Sequence, residues 1–204
     1  MAFLSSGGWA AGLVRCVLAV ALLAAASACE RSGFRSTDVS GAQFGRDFEL
    51  VDHNGKTRRL GDFHGKVVVV FFGFTHCPDV CPVTLAELAA AKRKLGADGA
   101  RVQVLLVTVD PQRDTPQVLS RYVTAFDPDF LGMSGSPQQI ATVAKEFKVV
   151  YQKVEGKQPD GYTVDHSAGT FIFDPQGRLR LYVSYGQGAE VFAHDIALLL
   201  KQSA

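Results

Sequence analysis

The sequence predicts an α/β fold: a mixed sheet with flanking helices and an N-terminal β-hairpin. Three observations carry that expectation. Val67-Val-Val-Val-Phe-Phe72 and Val102-Gln-Val-Leu-Leu-Val-Thr-Val109 are β-branched and aromatic runs with almost no polar alternation, as strands covered on both faces require. Leu85, Leu88 and Ala89 recur between them at helical spacing, and a strand, helix, strand succession of this length makes a right-handed parallel crossover. Phe48–Asp52 and Lys56–Leu60 flank His53-Asn54-Gly55, a hairpin signal. With 204 residues, 47% hydrophobic and 20% charged, the chain has room for one ordinary domain and a small appendage. A net charge of +1 gives no electrostatic basis for a nucleic-acid partner.

From the N-terminus, the first 29 residues hold one charged side chain, Arg15, followed by the apolar run Cys16–Ala28. That run is too short for an ordinary membrane span and has the length of a signal-peptide core, with Ala26-Ser-Ala28 as small residues for cleavage. Small residues before Cys29 resemble a bacterial lipoprotein signal, whose cysteine becomes the lipid-bearing N-terminus. Ala26 departs from that motif, which prefers Leu there, so ordinary cleavage and an uncleaved anchor stay open as alternatives. The expected division is a signal over residues 1–28, a flexible tether over 29–40 and the domain over 41–204. Every option exports the domain, and the lipoprotein option holds it at the periplasmic side of the bacterial inner membrane through Cys29. Cys16 lies inside the signal, so the exported domain keeps Cys77 and Cys81 as its functional thiols.

These two cysteines follow the first buried strand, which Gly73 ends. Pro82 suits a first helical residue, so both cysteines are expected at or just before a helix N-terminus, where unpaired backbone N–H groups favour a thiolate. Three residues separate them, one more than in the Cys-x-x-Cys redox motif. A four-residue step puts both sulfurs on one side of a helical turn, near enough to bridge or to grip one soft ion such as Cu(I) or Zn. A purely structural disulfide is the weaker expectation, because so short a loop gains little closure entropy.

Asp110-Pro-Gln-Arg-Asp114 follows the second strand, on the carboxyl edge of the sheet where open α/β proteins build sites. Turn and capping chemistry competes with a site role there, since Thr115 can cap a helix from Pro116 that buries Val118, Leu119, Tyr122, Val123 and Phe126. Asp127–Ser136 reads as a loop, and Pro137 opens a helix carrying Ile140, Val143, Ala144 and Phe147. Tyr151–Tyr162 is polar and rich in Gly and Pro, hence an exposed hairpin or loop, and its return leg carries Val164-Asp165-His166-Ser167. Thr170–Asp174, a turn through Gly177 and Leu179–Val183 make an antiparallel pair. Phe192, Ile196, Leu199 and Leu200 mark the last helix. Of the five histidines, His53, His64 and His194 read as solvated or satisfied side chains, and His76 adjoins Cys77 without a defined role.

Phe72-Gly-Phe-Thr-His-Cys-Pro-Asp-Val-Cys-Pro82, Val109-Asp-Pro-Gln-Arg-Asp-Thr-Pro116 and Val164-Asp-His-Ser167 together resemble the signature of the Sco/SenC proteins. The match covers essentially the whole chain after the N-terminal segment. It implies a thioredoxin-like fold with an insertion near Tyr151–Tyr162, and copper as Cu(I), with Cu(II) as a second state, held by Cys77, Cys81 and His166. The loop bearing His166 precedes the third main strand, which in thioredoxin-like proteins lies against the dithiol, and imidazole suits copper. Asp110 and Asp114 are expected at the periphery of the site and not as ligands. Two functions follow from the resemblance. One is a metallochaperone delivering copper to the subunit of cytochrome c oxidase that carries the dinuclear centre, with another copper chaperone or a thioredoxin-like reductant as a further partner. The alternative is a thiol-disulfide oxidoreductase on that same subunit's cysteines, with Cys77 and Cys81 as its redox pair. A thiol peroxidase is a third, which would need no histidine on the third-strand loop.

Overall fold

A computed structural model describes residues 33–156 and 161–203. The expected signal, Cys29 and the first part of the expected tether lie outside the described residues. Among the described residues no helix is long and apolar enough to cross a membrane. From Phe34 onward the chain forms one compact unit.

The main sheet is built on β4 (Val67–Gly73), whose seven residues are all buried. It pairs in parallel with β5 (Val102–Thr108) on one side and antiparallel with β9 (Thr170–Phe173) on the other. Val68, Val70 and Phe72 point into one core, with Ile140, Val143, Ala144 and Phe147 above them. Val67, Val69 and Phe71 point into the other, beneath Leu85, Leu88, Leu119, Phe192 and Ile196. Neither face of β4 meets water, which is why its sequence lacks polar alternation.

Outward from this centre, β10 (Leu179–Val183) and β1 (Thr37–Asp38) extend one flank, and β6 (Leu131–Ser134), β2 (Glu49–Asp52) and β3 (Thr57–Arg59) extend the other. The sheet is mixed: β5 and β6 run parallel to β4, while β2, β9 and β10 each pair antiparallel with a neighbour. Helices α1 (Val80–Lys94), α2 (Pro116–Thr124) and α4 (Gly188–Lys201) cover one face, and α3 (Pro137–Glu146) covers the other. The Tyr151–Tyr162 excursion becomes a separate two-stranded hairpin, β7 (Tyr151–Glu155) and β8 (Tyr162–His166). The N-terminal hairpin β2–β3 closes around the buried Asp52 carboxylate, which accepts from the Asn54 and Lys56 amides at 2.9 and 3.0 Å and from Arg58 Nε at 2.8 Å.

Two segments differ from the sequence expectation. Asp127–Ser136 is not all loop: Leu131–Ser134 is a strand bridging β5 and β2. It is short, holds Gly132 and lacks a β-branched residue, so no local signal marks it; the sheet recruits it through its neighbours. Gly132 is needed at that point, because a Cβ there would stand 2.8 Å from that of Leu119 on α2. The boundary expected at Gly41 falls after chain that is already part of the fold. Thr37 and Asp38 pair with Tyr182 and Leu181, and the amides of Arg35 and Ser36 each donate to the buried Asp195 carboxylate at 2.9 Å. These ties run mostly through main-chain groups, so the polar composition of residues 35–40 concealed them.

Candidate metal centre

Strand β4 delivers the cysteine loop to the carboxyl edge of the sheet. Helix α1 begins at Val80, two residues before the proline expected to open it, with Asp79 at its N-cap position. Cys81 therefore lies within the first helical turn and Cys77 in the preceding loop, where its amide donates to the Phe74 carbonyl at 3.3 Å. Both thiols are free; Cys77 is half-buried and Cys81 has no exposed surface. Burial pushes the Cys81 thiol well above the ordinary range for cysteine, and the Phe74 backbone only partly opposes it. Cys81 is held by a close fit: a Cβ on Gly73 would stand 2.8 Å from its sulfur.

His166 arrives from the other direction, at the end of β8. Its Nε2 is 3.7 Å from Cys81 Sγ, and its Nδ1 is 3.0 Å from the Ser167 carbonyl oxygen. A carbonyl only accepts, so the neutral ring carries its proton on Nδ1 and turns the Nε2 lone pair toward the sulfurs. Phe71 and Phe74 meet the imidazole edge-on at 6.3 and 5.9 Å between centroids. This burial lowers the His166 pKa below its ordinary value and keeps the ring neutral.

The two sulfurs and the imidazole nitrogen all lie within 4.8 Å of one another, the one such group of potential ligands among the described residues. Three donors around an ion at about 2.2 Å are spaced by about 3.8 Å, so the donor set fits a three-coordinate soft metal with small side-chain movement. All three residues singled out in the sequence are thus brought together.

Asp114 is drawn beside the site but not into it. Its buried carboxylate accepts from the Thr75 amide at 3.1 Å and from the Thr75 and Thr108 hydroxyls at 2.6 Å each, which ties the cysteine loop to the end of β5. Asp110, also buried, accepts from the Tyr162 hydroxyl at 2.8 Å and from Arg113. Capping is present as well: the Val118 amide donates to Thr115 Oγ1 at 3.3 Å. His76 is exposed and reaches only the edge of this network, its Nδ1 3.1 Å from Thr75 Oγ1. His53 accepts from the Gly132 amide at 3.1 Å, and His194 donates from Nδ1 to Asp195 at 2.8 Å, so both are satisfied away from the site. Sequence reasoning missed Thr75, Thr108, Arg113 and Tyr162. Thr75 and Arg113 stood inside the quoted motifs, but nothing in their spacing told which side chains would turn inward.

Fold and site together define a thioredoxin-like domain presenting a dithiol and an imidazole at one sheet edge. The sequence pattern of the SCO1/SenC family matches residues 36–201, and the chain belongs to that family. It is 42% identical over 152 residues to the mitochondrial SCO2 homologue of Bos taurus, covering 74% of this chain and 57% of the bovine protein. Among solved structures it resembles copper-bound ScoI of Bradyrhizobium japonicum, with 39% identity, a TM-score of 0.69 and coverage of 76% of this chain and 98% of that one. It also resembles apo Sco1 of Thermus thermophilus, with 43% identity, a TM-score of 0.70 and coverage of 84% and 97%.

Proposed function

We propose that this protein is a copper metallochaperone of the Sco type, binding Cu(I) through Cys77, Cys81 and His166, with Cu(II) as a second state, and delivering it to the copper-centre subunit of cytochrome c oxidase. The observation that carries the reading is the convergence of two sulfurs and one properly turned imidazole nitrogen within 4.8 Å from segments 85 residues apart. A structural disulfide would need no histidine there. Copper as cargo must displace the Cys81 proton, which burial holds in place, so loading releases protons and strengthens with rising pH. Cys77, half-open to solvent, is the donor an incoming thiolate can replace first, and transfer proceeds by ligand exchange from that side.

The first 28 residues are read as an export signal and Cys29 as the lipid-bearing anchor, which sets the domain at the periplasmic side of the inner membrane, near an oxidase. A separate copper chaperone supplying the ion, or a thioredoxin-like protein reducing the pair, completes the expected partners.

The second reading is dithiol exchange, favoured by the contrast between half-buried Cys77 and buried Cys81. Cys77 would attack a partner disulfide and Cys81 would resolve the mixed disulfide. The partner gains two thiols as this pair loses two electrons and two protons. Copper titration of reduced wild-type and His166→Ala protein, run beside exchange with a small-molecule disulfide, separates the two. Weakened copper binding with intact exchange in the variant supports the chaperone. Unchanged copper affinity with crippled exchange supports the oxidoreductase.

A further inference from the structure

Arg113 stands between the sheet edge and the hairpin that bears His166. Its Nε donates to the Asp110 carboxylate, and its Nη1 donates to the Tyr162 carbonyl at 2.9 Å. The guanidinium lies 3.6 Å from the centre of the Tyr162 ring and 5.8 Å from that of Phe74. The Tyr162 hydroxyl closes the circuit by donating to the other Asp110 oxygen at 2.8 Å. A flat guanidinium stacked on an aromatic face while donating along its edge fixes both partners in orientation as well as in distance, which a lysine cannot do.

Tyr162 and His166 lie on the same strand, four residues apart, and the period of two places them on the same face of β8. Phe74, which Arg113 approaches on one side, meets the His166 ring 5.9 Å away. The hairpin is otherwise lightly held: of β8 only Val164 is fully buried, and β7 is almost wholly exposed. The other Arg113 amine, Nη2, is buried without a hydrogen-bond partner among the described residues, so the side chain is placed for the ring and the carbonyl at the expense of its own full satisfaction.

We propose that Arg113 is a positioning residue: by clasping Tyr162 to Asp110 it pins the start of β8 and so aims His166 Nε2 at the thiol pair. The proposal rests on the reading of His166 as a ligand. Removing a residue that orients a ligand typically weakens metal binding about tenfold or more.

The test is a double-variant cycle on the full-length protein in detergent, with Cu(I) affinity read by competition with a chromophoric chelator. Arg113→Ala is expected to weaken Cu(I) by about tenfold and to add nothing in a His166→Ala background. The Cys77–Cys81 reduction potential shifts no further in Arg113→Ala than in His166→Ala, since the clasp reaches the sulfurs only through that ring. In the metal-free protein, amide hydrogen exchange rises in β7 and β8 and is unchanged in β4 and β5. Tyr162→Phe, which keeps the ring and loses one bond to Asp110, shifts the same readouts in the same direction by less, and replaces Arg113→Ala in the cycle if that variant does not fold. Losses that add in the double variant, or unchanged affinity in Arg113→Ala where His166→Ala is weakened, overturn the positioning role. Unchanged affinity in His166→Ala itself overturns the ligand reading beneath it.

Discussion

The two arms that meet at the site are built in opposite ways. The cysteine arm, β4 and α1, runs through the centre of the molecule: every residue of β4 is buried, the strand is paired on both sides, and Cys81 is packed without exposed surface. The histidine arm, β7 and β8, lies outside the main sheet and is tied to it at a few points, the Arg113 clasp, the buried Val164 side chain in the core and Lys153 to Gln112 at 2.6 Å. Local opening is cheapest where few apolar contacts and exposed backbone bonds hold a segment. The sulfurs are therefore preorganised and the nitrogen is adjustable. Under the proposed chaperone role, half-open Cys77 and adjustable His166 are the donors that can exchange or loosen while buried Cys81 keeps hold.

The contrast predicts unequal costs at the two arms. Cys81→Ala should have the largest effect, because it removes a donor and leaves a lone half-buried thiol facing one imidazole. Cu(I) affinity is expected to fall at least hundredfold, about 2.7 kcal/mol, in chelator competition. A loss no larger than that of His166→Ala would mean that the rigid arm contributes no more than the loose one.

Rigidity at the sulfur also has a cost that can be measured. Gly73→Ala would put a Cβ 2.8 Å from Cys81 Sγ, 3.0 Å from the Phe71 ring and 3.2 Å from Leu106, all fixed by the core. Overpacking of this kind destabilises by about 1–3 kcal/mol. Urea unfolding should show that loss, accompanied by weaker copper binding since the sulfur has to move. Wild-type stability with wild-type affinity would show that the cysteine arm yields more readily than its burial implies.

The same division governed what could be read from sequence. The rigid arm was legible because burial writes itself into composition: six consecutive apolar residues, then the cysteines, then a helical period. The strand β6 and residues 35–40 were not legible, since both are held by backbone pairing, which any polar sequence can make. Cys77 and Cys81 declared themselves as a pair, whereas His166, 85 residues beyond Cys81, became a candidate only through the motif resemblance and the fold it implied. The orienting groups Arg113, Tyr162 and Thr75 were invisible as such because their roles depend on which way each side chain turns from its loop or strand.

On the loose arm, His166→Ala is expected to weaken Cu(I) by about tenfold, or 1.4 kcal/mol, and Cu(II) by more, because Cu(II) prefers a nitrogen donor to sulfur alone. Cycling of Cys77 and Cys81 with a small-molecule disulfide should continue, since thiol exchange depends on thiolate fraction and access. Circular dichroism on the same preparation checks that the variant is folded. Equal losses of copper binding and of exchange would show that the two arms are coupled and that the hairpin supports the dithiol as well as the metal.

The smallest effect belongs to protonation of the loose arm without metal. Burial lowers the His166 pKa in the folded protein, so between that value and the unfolded value of about 6.5 the unfolded chain binds more protons. Stability therefore has no contribution from this group above pH 6.5, declines as pH falls below it, and stops declining once the folded-state pKa is passed. Asp52, Asp174 and Asp195 have depressed pKa values and also lose stability in acid, but below the histidine range and equally in a variant lacking His166. Urea unfolding of metal-free wild type and His166→Gln at pH 7.5 and pH 5 isolates the term as a difference of differences. Wild type should lose more between the two pH values than the variant does. The ring can meet its proton either in place, against the buried sulfur, or by swinging out with the hairpin, and only the first carries the burial cost. Equal losses in the two proteins would show that the hairpin opens at no cost and the imidazole protonates in water. The wild-type excess, if found, measures how firmly the clasp holds His166 against Cys81 before any metal arrives.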